Sequence, residues 1–148
     1  MEDIFEYPNQ TLWQNRRNWV NKELEEAETG FSYLVSDHAT ALFMDMQIAY
    51  CAGAWLSVII MSVSVIDAHL RETEAMDNEI GTAKLLNDYY TGEEINWLRV
   101  LRNKYVHANF DKPVLEMNAW FDNQNELEEN ATKAMTMTIK ALFQSPGT

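Results

Sequence analysis

The chain has 148 residues, 47% of them apolar and 23% charged, with only five Gly and three Pro. That composition excludes collagen-like, low-complexity and globally disordered classes, and so few turn residues argue against a many-stranded β fold. Eleven Lys and Arg against 23 Asp and Glu leave a net charge of −12, which excludes non-specific coating of nucleic acid but leaves room for a small basic site.

The apolar spacing is helical almost throughout, with no internal repeat and no linker, so residues 1–148 are expected to form one domain. A first helix is predicted from about Asn9 to Ala27, with Pro8 near its start, where a missing N–H costs little. Leu12, Trp13, Val20, Leu24 and Ala27 give it one apolar stripe, and Gly30 is a stop. A second helix is predicted from Asp37, a good N-cap, to about Glu74, with a bend at Gly53 allowed. A third covers roughly Thr82 to Tyr90. Thr91 and Glu94 then have the spacing of a capping box for a fourth helix, Ile95 to about Ala108. Residues 114–125 read as irregular or a short helix. A fifth helix runs from about Glu126 to Phe143, with Ala134, Met137, Ala141 and Leu142 inside. The expected fold is an all-α bundle of four to five helices around one long buried central helix.

Ile48 to Ile66 is an uncharged run of 19 residues, close to the roughly 20 that span a bilayer. Three serines and Gly53 dilute it, and no basic cluster sets an orientation. A buried core helix is therefore expected, and a membrane-associated protein is the weaker reading. The acidic start MEDIFEYPNQ lacks the basic-then-apolar pattern of a signal peptide, so the expected location is cytoplasmic.

Cys51 is the only cysteine, so no intrachain disulfide or Cys-based zinc site can form. The sequence has no Glu-x-x-His, no His-x-x-x-His, no phosphate-binding loop and no nucleophile elbow. No metal and no cofactor are expected. His38, beside the predicted N-cap, reads as incidental. Asp67 and His69 lie two apart and cannot share a helix face.

One segment departs from the acidic background. From Arg99 to Phe110 there are three positive charges, Arg99, Arg102 and Lys104, and no acid. At 100° per residue, Ile95, Leu98, Leu101, Tyr105 and Val106 share one arc, with Trp97 at its edge and Arg102 inside it. A guanidinium on an apolar arc needs a partner or a purpose. His107 lies about 140° round from Arg102, so one straight helix cannot bring both to one spot. Either the helix distorts or a second chain completes the site. A purely structural alternative pairs Arg102 with a buried acid such as Asp45 or Asp67 and leaves His107 as a helix cap.

Leu101-Arg102-Asn103-Lys104-Tyr105-Val106-His107 resembles the Arg-x(4–6)-His signature of the HEPN superfamily. Asn103 matches the polar residue that family favours after its arginine. The resemblance implies a small helical bundle that dimerises so that two Arg/His pairs meet in one cleft. It implies a metal-independent ribonuclease of a toxin–antitoxin or defence system, checked by a cognate antitoxin protein. Arg102 would neutralise the scissile phosphate, His107 would act as general acid or base, and Asn103 would position one of these groups or the phosphate. Arg99 and Lys104 would hold the RNA substrate. Toxins paired with minimal nucleotidyltransferases carry Tyr two residues after the histidine. Asn109 stands there in this chain, so nucleotidylation at that position is not expected. The alternative is a non-catalytic HEPN-like module that binds a nucleotide or a protein partner.

Overall fold

A computed structural model describes residues 8–28, 36–90 and 92–143. The described residues form seven α-helices and a π-helical turn, with no strand. Helix α1 (Gln10–Ala27) begins at Asn9, whose side-chain oxygen accepts the Leu12 N–H at 2.8 Å. This is an N-cap bond to an otherwise unpaired backbone donor. Val20 is its buried residue, Trp13, Leu24 and Ala27 are half-buried, and Leu12 is exposed rather than part of the stripe. The predicted stop at Gly30 lies outside the described residues.

Helix α2 (Asp37–Ala52) is capped by Ser36, one residue before the expected cap, with its hydroxyl accepting from the Ala39 N–H at 3.1 Å. Ala39, Phe43, Met46 and Tyr50 repeat at helical spacing and are buried. The chain then reverses. Gly53 adopts φ 80°, a left-handed conformation that favours glycine. The Gly53 N–H bonds to the Tyr50 carbonyl, and the Ala54 N–H bonds to the Ala49 carbonyl. Those two bonds make a Schellman motif, which ends a helix by satisfying its last carbonyls.

The expected single long central helix is therefore two helices. The second, α3 (Trp55–Leu70), lies back along α2, so that His38 and Leu42 at the start of one face Ser64 and Asp67 near the end of the other. The uncharged run is split by this turn, and Ile48 is exposed on α2. Among the described residues, no helix is long and apolar enough to cross a membrane.

α3 is the centre of the bundle. It packs against α2, α7, α5 and α4 and buries residues on nearly every side. Its buried Ser62 hydroxyl donates to the Ile59 carbonyl at 2.6 Å, and Thr138 on α7 does the same to Ala134 at 2.8 Å. Both hydroxyls are thus satisfied without a distant partner. Past Leu70 the chain continues as the π-helical turn Arg71–Ala75, which ends at Met76 with φ 50°. Arg71 clamps this end. Its Nε and Nη2 bond to Asp67, and its Nη1 bonds to the carbonyls of Asp77 and Ile80.

Helix α4 (Thr82–Tyr89) follows, then α5 (Glu93–Val106), the short α6 (Met117–Asp122) and α7 (Gln124–Phe143). Gly92 occupies the capping position of α5 without a side-chain cap bond, and the predicted capping box rests on Thr91, which lies outside the described residues. The four residues predicted inside α7 are all buried. A single core cluster takes side chains from α1, α2, α3, α4, α5 and α7.

Candidate functional site

Helix α5 lies against α3 and α7 with Leu98 fully buried. Ile95, Trp97, Leu101 and Tyr105 are half-buried around it, whereas Val106 is exposed. Trp97 is covered by Lys133 of α7, whose Nζ sits 3.9 Å from the ring centroid. Arg102 is half-buried on the inward arc, as its wheel position implies. Its Nε is buried and has no hydrogen-bond partner among the described residues.

Neither acid offered as a partner for Arg102 pairs with it. Asp45 is exposed on α2. Asp67 is engaged elsewhere: Arg71 Nε bonds to Oδ1 at 3.0 Å and Nη2 to Oδ2 at 2.9 Å, and the Thr82 hydroxyl donates to Oδ2 at 2.8 Å. The pair Asp67–Arg71 has the i, i+4 spacing of a helical ion pair.

His107 follows the last residue of α5, with extended backbone angles (φ −97°, ψ 110°), and its N–H closes the helix on the Asn103 carbonyl at 3.0 Å. The imidazole is exposed and lines a cleft of about 150 Å³ together with Lys104, Tyr105, Asn109 and Leu115. Arg102 lines a different cavity, of about 210 Å³, between α2, α3, α4 and α5. The helix ends at Val106, but its end does not bring His107 to Arg102 within one chain.

Of the remaining predicted residues, Lys104 is exposed and lies 5.6 Å from the Tyr105 ring centroid. Arg99 bonds to the Asn96 side chain at 3.0 Å, and its Nε is buried without a partner among the described residues. Arg99 and Asn103 line neither cavity. Burial pushes the Tyr105 hydroxyl above its ordinary pKa, with Glu126 adding to the rise and Asn130 opposing it. At neutral pH Tyr105 therefore stays a neutral donor at the wall of the His107 cleft. Among the described residues, no three His, Cys, Asp or Glu side chains gather as a metal site.

No protein-family model, no curated protein and no solved structure matches the chain.

Two residues that the sequence reading passed over occupy important places. His38, read as incidental, lines the same cavity as Arg102. Only the return of α3 along α2 creates that neighbourhood, and no local pattern announces it. Arg16 on α1 donates from Nη1 to the Cys51 carbonyl at 3.1 Å and lies 4.8 Å from the Trp55 ring centroid. Its signal was present: Trp13, Arg16 and Val20 share one helical face, which places a cation on an apolar stripe, as on α5.

Proposed function

We propose that the chain is a metal-independent endoribonuclease of HEPN type, acting as a toxin or defence effector at a site composed from two copies. The observation that carries this reading is the acid-free Arg99–Phe110 segment with its Arg102-Asn103…His107 spacing. Two features support it. Among the described residues no acid is bound to Arg102, and His107 is exposed and accessible to substrate.

The chemistry needs no added nucleophile, because RNA supplies the 2′-OH. In-line attack requires a base at that hydroxyl, an acid at the departing 5′ oxygen, and positive charge on the phosphate as negative charge builds. Imidazole exchanges protons near neutral pH, so His107 from two chains would divide the base and acid roles. Arg102 carries the phosphate charge. Asn103 orients the phosphate or a catalytic group, and Arg99 and Lys104 hold the flanking backbone.

The separation of Arg102 and His107 into different cavities of one chain favours a composite site. Exposed Val106 and Leu115 line the His107 cleft, and Phe110 beside it is 99% exposed. Exposed apolar side chains of this kind favour association, and a two-fold contact would place the same patch on itself.

The test is a purified-protein assay on a broad RNA panel in EDTA. Products are expected to end in 2′,3′-cyclic phosphate, and EDTA is expected not to inhibit. His107→Ala lowers the rate by roughly 10²–10⁴, the usual worth of a general acid–base group, while keeping the fold and the dimer. A well-folded wild-type dimer that cleaves no RNA contradicts the reading.

A further inference from the structure

The first turn of α2, the last turns of α3, the start of α4 and the C-terminal half of α5 line the cavity of about 210 Å³, which is open to solvent along the exposed His38 and Ser64. Its polar walls are His38, Ser64, Asp67, Thr82 and Arg102. Asp67 does not make it acidic, because Arg71 binds both carboxylate oxygens and the Thr82 hydroxyl takes a further position on Oδ2. The negative charge is neutralised and fixed in the wall. Arg102 is the opposite case, a half-buried cation whose Nε has no acceptor among the described residues. Leaving such a donor unpaired costs free energy, and the guanidinium carries further N–H groups on Nη1 and Nη2 that an anion in the cavity lined by Arg102 could meet. His38 is exposed, so the cavity is open to solvent on that side.

We propose that this cavity is a phosphate-group subsite built within a single chain by Arg102 and His38, with the Ser64 hydroxyl as a further donor. The guanidinium presents its N–H groups in a planar fork that matches two phosphate oxygens. Imidazole supplies a ring N–H from the solvent side. At roughly 30 Å³ per water molecule, the volume holds about seven waters. That accommodates a phosphate group but not an attached nucleoside, which would extend outward past His38. The assignment shares with the ribonuclease reading only Arg102's part as a phosphate ligand, and it requires neither a dimer nor cleavage.

The experiment is a titration of the full chain with inorganic phosphate at constant ionic strength, following the ring C–H signals of its three histidines by NMR. Parallel titrations use a dinucleotide with and without a 5′-phosphate. The His38 signals are expected to shift saturably, while those of buried His69 stay in place. His38→Asn and Arg102→Gln each weaken the binding by on the order of tenfold, the usual worth of a hydrogen bond to a charged group. His38→Asn is a surface change and is expected to keep the fold, which keeps the test meaningful if Arg102→Gln unfolds. Response to the 5′-phosphorylated dinucleotide alone assigns the subsite to a terminal phosphate, and response to both dinucleotides assigns it to an internal diester. Saturable shifts in a protein that cleaves no RNA support the subsite while removing the ribonuclease reading. Shifts confined to His107, or phosphate binding unchanged in His38→Asn, overturn the subsite and leave the ribonuclease reading untouched.

Discussion

His69 is fully buried on the last turn of α3, and burial pushes its imidazole below the usual histidine pKa, with Glu74 opposing the shift. The folded chain therefore refuses a proton that the unfolded chain accepts below its ordinary pKa of about 6.5. In that window the unfolded state binds more protons, so stability rises with pH and is lost as pH falls. The slope is at most roughly 1.4 kcal/mol per pH unit for one such group. Urea midpoints measured from about pH 7.5 down to about pH 5.5 are expected to fall more steeply for wild type than for His69→Gln. Parallel curves would remove this residue from the acid sensitivity. The sequence showed His69 and Asp67 on different faces, and their environments do diverge. It did not show which face was buried, because an almost wholly apolar helix gives no periodic signal to choose by.

At the scale of elements, the turn between α2 and α3 decides the topology. Gly53 in its left-handed conformation ends α2, and α1 presses Arg16 onto the turn. A Cβ at position 53 would meet Arg16 Nη1 at 3.1 Å, tighter than an ordinary contact, as well as occupying an unfavourable φ. Gly53→Ala is expected to cost about 1–2 kcal/mol, read as a lower denaturant midpoint at unchanged slope. Gly53→Asn should cost less, because Asn tolerates the left-handed region better. An alanine variant as stable as wild type would show that the turn does not depend on this geometry. Helix existence was legible because the apolar spacing is regular. The break was less legible: glycine inside a long apolar run is compatible with both a bend and a reversal. What settles it is the pairing of α2 with α3, a property of the fold rather than of the local sequence. The same limit applies to the site. The inward position of Arg102 was readable from the wheel, because it depends on one helix. Its neighbour His38 was not, because it arrives on another.

At the scale of the molecule, the proposal concerns assembly as much as chemistry. Arg102 and His107 line separate cavities of one chain, and the proposal draws a shared catalytic centre from different copies. Mixed dimers test this directly. Arg102→Gln and His107→Ala chains are each inactive alone under the proposal. Unfolding and refolding them together lets one chain of each kind pair, so that an intact arginine and an intact histidine meet across the interface. The measurement is the RNA cleavage rate of that refolded mixture in EDTA, set against each parent refolded by itself. The proposal predicts activity above either parent but well below the wild-type rate, because the mixed centre keeps an intact arginine and only one of its two imidazoles. A mixture that forms dimers yet cleaves no faster than its parents, beside an active wild type, would contradict the composite site.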